Sequence, residues 1–86
     1  MKKVLITGVA GFIGFSLANR LLKLEKNTKV YGIDNFDNYY SVKIKKKRVL
    51  LLKKNRNFFF SKIDISKKNQ LSKYLKKKKF EYIFHF

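Results

Sequence analysis

Between residues 7 and 14 the chain reads TGVAGFIG, with glycines at positions 8, 11 and 14, and this spacing constrains the fold more than any other feature. The octapeptide closes residues 3–7 (KVLIT), a short apolar run that suits a strand buried on both faces of a parallel sheet. Behind it Gly14, Leu17, Ala18, Leu21 and Leu22 fall at i, i+3, i+4, i+7 and i+8, the stripe that an amphipathic helix turns toward a core. Asn19, Arg20 and Lys23 take the opposite face. In a strand–glycine–helix turn the first glycine permits a sharp exit from the strand. The second lets a pyrophosphate approach the backbone, and the third lets helix and sheet pack closely. The helix N-terminus adds free N–H groups and the positive end of its dipole.

The remainder of the chain repeats this alternation. Residues 26–28 break the helical pattern and lead into a second strand, 29–33 (KVYGI), which ends at Asp34. Residues 35–41 (NFDNYYS) are polar or aromatic with no period and predict a loop that Ser41 closes as a helix N-cap. A very basic helix over 42–54 follows, although Ile44 and the apolar run 49–52 make no clean stripe. Residues 58–63 (FFFSKI) predict a third strand ending at Asp64. A helix over 66–78 with Leu71, Tyr74 and Leu75 inward comes next, then a fourth strand over 82–86 (YIFHF). The order βαβαβαβ predicts an α/β fold built on a doubly wound parallel sheet. With no proline and no glycine-rich linker, no internal domain boundary is expected.

Asp34 stands 20 residues after Gly14, at the end of the second predicted strand. A carboxylate there can accept hydrogen bonds from both hydroxyls of an adenosine ribose. Residues 32–42 contain no Lys or Arg to meet a 2′-phosphate, which favours NAD over NADP. The plainer alternative, an ordinary surface acid, is weakened by the scarcity of acids.

The chain has 22 Lys+Arg against 5 Asp+Glu, a formal net charge of +17. At 45% hydrophobic residues it is too apolar for a disordered polycation. The absence of cysteine and the presence of one histidine, His85, exclude disulfides, thiol catalysis and cysteine-based zinc sites. The longest apolar run, residues 4–18, has 15 residues, short of a bilayer span. That run imitates a secretory leader, but its glycine spacing fits the nucleotide turn better, so a cytoplasmic location is expected. Lysine, asparagine, isoleucine, phenylalanine and tyrosine share A/T-rich codons, so genome composition is one source of the charge. The rival is a basic nucleic-acid-binding protein, with Lys43, Lys45, Lys46, Lys47, Arg48, Lys53, Lys54 and the lysines of 76–79 on phosphates and Phe58, Phe59 and Phe60 stacked on bases.

Four blocks carry a family likeness: TGVAGFIG at 7–14, GIDNFDNYY at 32–40, KIDIS at 62–66 and YIFHF at 82–86. In these the chain resembles the NAD-dependent nucleotide-sugar epimerase/dehydratase family of the extended short-chain dehydrogenase/reductase superfamily, most closely its UDP-glucuronate 4-epimerase subgroup. The resemblance runs over essentially the whole chain and implies the N-terminal half of a Rossmann-type sheet, truncated after the fourth strand. It implies that Gly8, Gly11 and Gly14, with the backbone of Phe12 and Ile13, meet the pyrophosphate of NAD. Asp34, Asn35 and Asn38 would hold the adenosine ribose, and Asp64 and Ile65 would border the adenine. For Asp64 the alternative is a helix-capping acid beside Ser66. His85 matches a packing residue at a strand end.

The family oxidises a sugar hydroxyl transiently, using a tyrosine whose pKa is lowered by a lysine four residues later. The resemblance places that pair, the assisting Ser/Thr and the sugar-binding part beyond the fourth strand. Residues 1–86 are thus expected to be the N-terminal part of an NAD-binding domain with no catalytic residue. The UDP-sugar and the homodimer belong to the full-length enzyme, with no specific nucleic acid and no membrane. Two Tyr-x-x-x-Lys matches, Tyr39 to Lys43 and Tyr74 to Lys78, lie on the wrong elements. With 19 lysines and five tyrosines about one match arises by chance. A non-catalytic NAD-binding member of the superfamily is a further alternative. The apolar fourth strand, left uncovered, would be an aggregation-prone edge, so the chain alone is expected to fold poorly and to epimerise no sugar.

Overall fold

The computed structural model describes residues 2–36 and 42–86. Seven elements follow in order: β1 (Lys2–Thr7), α1 (Phe12–Leu24), β2 (Thr28–Asp34), α2 (Val42–Lys53), β3 (Phe58–Lys62), α3 (Lys68–Lys77) and β4 (Tyr82–His85). The strands form one parallel sheet in the order β3-β2-β1-β4. The chain therefore steps outward from β1 through β2 to β3 and returns to the other side of β1. Right-handed crossovers then place α1 and α2 on one face and α3 on the other.

The register separates the two faces. Val4, Val30 and Phe58 are successive partners across β1, β2 and β3. They are buried with Ile6, Ala18, Leu22, Val49 and Leu52 in the core under α1 and α2. One residue on, Leu5, Tyr31 and Phe59 form the next row and, by the pleat, point the opposite way. There Tyr31 stacks on Phe59 at 4.9 Å between centroids and meets Phe80 edge-on at 5.4 Å, and Phe80 lies 6.0 Å from Tyr74 of α3. The FFF run of β3 thus serves both layers of the fold. Phe58 is buried and Phe59 is stacked, so the three phenylalanines do not form a common base-stacking surface.

Two predicted features need correction. The third helix begins at Lys68 instead of Ser66, because the Asp64 carboxylate accepts both the backbone N–H of Ser66 (2.9 Å) and its hydroxyl (2.6 Å). This local turn competes with helix geometry over 64–67, so Asp64 is a turn former and does not cap α3. In α2 the buried stripe is Lys45, Val49 and Leu52, at i, i+4 and i+7, while Leu50 and Leu51 are exposed. The stripe begins with a lysine, which hid it from a hydrophobic pattern. The proposed cap Ser41 and the decoy residue Tyr39 lie outside the described residues.

Tyr74, the other decoy, is half-buried on α3, and among the described residues its hydroxyl has no hydrogen-bond partner in good geometry. Burial, reinforced by nearby Tyr31, pushes its pKa up to about 12, opposite to what a catalytic base requires. A neutral phenol favoured by the fold contributes stability that is complete below the ordinary tyrosine value and is lost as pH rises through about 12. An alkaline titration followed by tyrosinate absorbance is expected to show one late component that Tyr74→Phe removes. Superimposable curves for the two proteins would contradict this placement.

Candidate functional site

The loops at the C-terminal ends of β1, β2 and β3 enclose a cleft of about 740 Å³. It lies where the chain order reverses around β1, the point at which open α/β sheets take ligands. Gly8, Gly11, Phe12, Ile13 and Gly14 line it from the first turn, Asp34 and Asn35 from the end of β2, and Asp64 and Ile65 from the end of β3. Nine of the ten residues singled out from sequence thus border one space, and the tenth, Asn38, lies outside the described residues. Ile33, Lys45, Ile63, Ser66 and Phe86 complete the lining.

The glycine turn has a distinct requirement at each position. Gly8 adopts φ +67°, a left-handed conformation that favours glycine, and a Cβ there would lie 3.2 Å from the Phe86 carbonyl oxygen. Its N–H donates to the Ile33 carbonyl at 2.9 Å, and its own carbonyl accepts from Gly11 N–H at 3.0 Å. Gly14 falls inside the first turn of α1, where a Cβ would collide with the Gly8 carbonyl oxygen and lie 3.1 Å from Val9 Cα. Gly11, the N-cap, has φ −73° and ψ 167°, a conformation open to any residue. Neither a side-chain cap nor a first-turn acid occupies this helix end, so the amides of its first turn keep their donors for another acceptor. Phe12 and Ile13 are exposed there, 71% and 60%.

Asp34 is buried beside the glycine turn, and its two oxygens are already engaged. Oδ2 accepts the Ala10 N–H at 2.9 Å, and Oδ1 accepts the Phe36 N–H at 2.8 Å. Phe36 has φ 56°, unusual for a non-glycine residue. The conformation costs about 1–2 kcal/mol, offset by the Asp34 bond and by the Phe36 ring packing 5.4 Å from Phe60. An ionised carboxylate offers roughly four acceptor positions, so both oxygens of Asp34 retain capacity toward the cleft.

At the end of β3 the Ser66 hydroxyl and backbone N–H hold the Asp64 carboxyl below the usual carboxylate range, with Lys67 and the Asn35 side chain acting in the same sense. Asn35 and Asp64, assigned to different parts of a ligand, are therefore linked across the cleft mouth. On the β4 side the Thr7 hydroxyl lies 2.7 Å from His85 Nδ1 and accepts the Phe86 N–H at 3.2 Å. His85 joins the ends of β1 and β4 and is not among the cleft-lining residues; it is exposed, like the rest of β4, so its link to the sheet is the Thr7 hydroxyl and not burial.

Two residues were missed. Lys45 is buried and lines the cleft, and Arg48 donates from Nη1 to the Ala10 carbonyl at 3.0 Å. Counting cations over 32–42 stopped short of both. Helical spacing from Val49 and Leu52 is the signal that would have placed Lys45 inward.

A parallel sheet whose glycine turn, uncapped helix end and strand-end carboxylate converge at its switch point defines an α/β domain of the Rossmann type. The chain belongs to the family described as GDP-mannose 4,6 dehydratase, whose family model matches residues 5–86. It is 44% identical over 84 residues to an uncharacterized protein of Methanocaldococcus jannaschii, covering 98% of this chain and 26% of that one. It is 48% identical over 62 residues to a UDP-glucuronate 4-epimerase of Thermodesulfobacterium geofontis, covering 72% of this chain and 19% of the relative. The crystal structure of UDP-glucuronic acid 4-epimerase from Bacillus cereus, in complex with UDP-glucuronic acid and NAD, superposes with a TM-score of 0.84 at 36% identity, covering 98% of this chain and 26% of that one. The chain thus spans about a quarter of the length of the relatives it matches. Among the described residues no helix is long and apolar enough to cross a membrane.

Proposed function

We propose that these 86 residues are the NAD-binding portion of a nucleotide-sugar epimerase of the UDP-glucuronate 4-epimerase type, or of a related dehydratase. The observation that carries this reading is the Asp34 carboxylate, fixed against the glycine turn beside the uncapped N-terminus of α1. Donors for two phosphates and an acceptor for a ribose thus face one cleft. NAD fits this donor set. Gly8, Gly11 and Gly14 with the amides of Phe12 and Ile13 take the pyrophosphate, Asp34, Asn35 and Asn38 take the ribose, and Asp64 and Ile65 border the adenine. The buried carboxylate disfavours a 2′-phosphate by like charge, which supports NAD over NADP. When bound, NAD supplies the hydride acceptor for transient oxidation of a sugar carbon. The chain's own residues bind and orient it.

The sugar chemistry is assigned to the whole protein, which acts as a cytoplasmic homodimer on a UDP-sugar without specific nucleic acid. No catalytic residue is assigned within residues 1–86, and the chain alone is expected not to turn over a UDP-sugar. Titration calorimetry with NAD tests the binding reading. The protein is expected to bind saturably. Gly11→Ala is expected to keep its unfolding temperature while losing about tenfold or more in affinity, because its backbone suits alanine but the added methyl stands where the pyrophosphate approaches. Equal affinity in both proteins would remove the pyrophosphate from this turn. Salt-steep RNA binding indifferent to Asp34→Ala would favour the nucleic-acid alternative.

A further inference from the structure

We infer that Arg48 is a positioning residue for the glycine turn and, through it, for the amides that receive the pyrophosphate; this rests on the nucleotide-binding reading above. Ala10, at the centre of TGVAGFIG, is fully buried. Its N–H donates to Asp34 Oδ2 at 2.9 Å, and its carbonyl accepts from Arg48 Nη1 at 3.0 Å. One residue of the turn is therefore gripped from both sides by charged side chains, one at the end of β2 and one in the middle of α2.

The carbonyl that Arg48 holds shares a planar peptide unit with the N–H of Gly11. That N–H closes the turn onto the Gly8 carbonyl at 3.0 Å. Gly11 is also the N-cap of α1, so the plane fixed by Arg48 sets the direction in which the following amides, those of Phe12 and Ile13, leave the turn. The helix ladder starts with Phe15 N–H on the Gly11 carbonyl, which leaves the Ala10 carbonyl outside it. Arg48 supplies the donor for that buried oxygen.

A guanidinium suits the task, being planar, always charged and less strongly hydrated than an ammonium. Arg48 is not among the residues lining the cleft, so it acts through the turn and not on the ligand. Its charge behind the turn adds to the positive potential that the helix end presents to an anion. The buried neighbours Lys45, Val49 and Leu52 hold α2 in the register from which Arg48 reaches Ala10.

Calorimetric titration with ADP and with adenosine tests this, because adenosine carries the base and ribose but no phosphate. Wild type, Arg48→Met and Arg48→Lys are compared, with unfolding temperatures measured alongside. Arg48→Met is expected to weaken ADP binding by about tenfold or more, the scale of one charge-assisted hydrogen bond, while adenosine changes by less than about twofold. Arg48→Lys, which restores a charged donor, recovers part of the ADP affinity. Parallel losses of ADP and adenosine would make Arg48 a general staple of the fold and overturn the proposal, as would unchanged ADP affinity in Arg48→Met. If Arg48→Met does not fold, Arg48→Lys decides: selective loss of ADP supports the proposal, and parallel loss or no loss overturns it. Wild type that binds neither ligand defeats the nucleotide reading itself, and the positioning role with it.

Discussion

Alanine at Gly14 is expected to destabilise the folded state severely. Its Cβ would collide with the Gly8 carbonyl oxygen and sit 3.0 Å from the Gly8 carbonyl carbon and 3.1 Å from Val9 Cα, all backbone atoms of the turn that launches α1. No flexible side chain can give way, so α1 must lift from the end of β1 and uncover the core beneath Ala18 and Leu22. Overpacking of this kind costs about 1–3 kcal/mol and more when backbone must move. The helix propensity gained by replacing glycine with alanine returns only about 1 kcal/mol. A chain of this length has roughly 4 to 13 kcal/mol of total stability, so the collision takes a large share of it. Thermal unfolding followed by circular dichroism checks this; an unchanged transition in Gly14→Ala would show that the turn is looser than described.

The second large effect is expected at Asp34. Truncation to alanine removes the acceptor of two backbone N–H groups, on fully buried Ala10 and on Phe36. Leaving the buried Ala10 donor unsatisfied costs about 1–3 kcal/mol, and the part-buried Phe36 donor costs less because water can reach it, so Asp34→Ala is expected to lose about 1–3 kcal/mol or somewhat more along with NAD binding. Asp34→Asn keeps the shape and one acceptor but turns an amide N–H₂ toward a backbone donor, so its stability falls between the two. NAD affinity should fall in both variants. Wild-type stability in Asp34→Ala, with only binding lost, would mean that the carboxylate serves the ligand alone and that the bonds to Ala10 and Phe36 contribute little. Asp34 is thus read as both a structural lock and a ligand acceptor, and the two roles are separated by measuring unfolding and binding on the same variants.

The strands and the first helix were legible in the chain because their signals are local. KVLIT, KVYGI and FFFSKI are short apolar runs bounded by turn residues, and the stripe Gly14, Ala18 and Leu22 repeats at helical spacing. The cleft was legible for the same reason, since most of its lining lies at or soon after the end of a strand, with Lys45 of α2 the exception. What escaped is what depends on contacts distant in sequence. Arg48 meets Ala10 across 38 residues, and Thr7 meets His85 across 78. The buried position of Lys45 is set by Val49 and Leu52 packing under α1 and β3, not by its own polarity. The displaced start of α3 is a local effect that was misjudged, because Asp64 followed by Ser66 reads equally as a helix cap or as a self-contained turn.

β4 pairs with β1 along Val4 to Thr7, yet Tyr82, Ile83, Phe84 and Phe86 are all exposed, Ile83 at 56%. Its start is anchored by the Lys3 N–H on the Glu81 carboxylate at 2.6 Å and by Glu81 N–H on the Lys3 carbonyl at 2.9 Å. Because Phe86 also borders the cleft and sits against Gly8, the outer strand contributes to the shape of the site as well as to the sheet.

The central claim is that the cleft at the strand ends binds NAD in one orientation. An amide NMR titration of the isotopically labelled protein with NAD tests it most directly. The account predicts saturable shifts at Gly11, Phe12 and Ile13 for the pyrophosphate, at Asn35 for the ribose and at Ile65 for the adenine, with residues 54–57 at the opposite end of the sheet unmoved. Absence of saturable shifts at the glycine turn, or shifts confined to the basic residues at the opposite end, would contradict it.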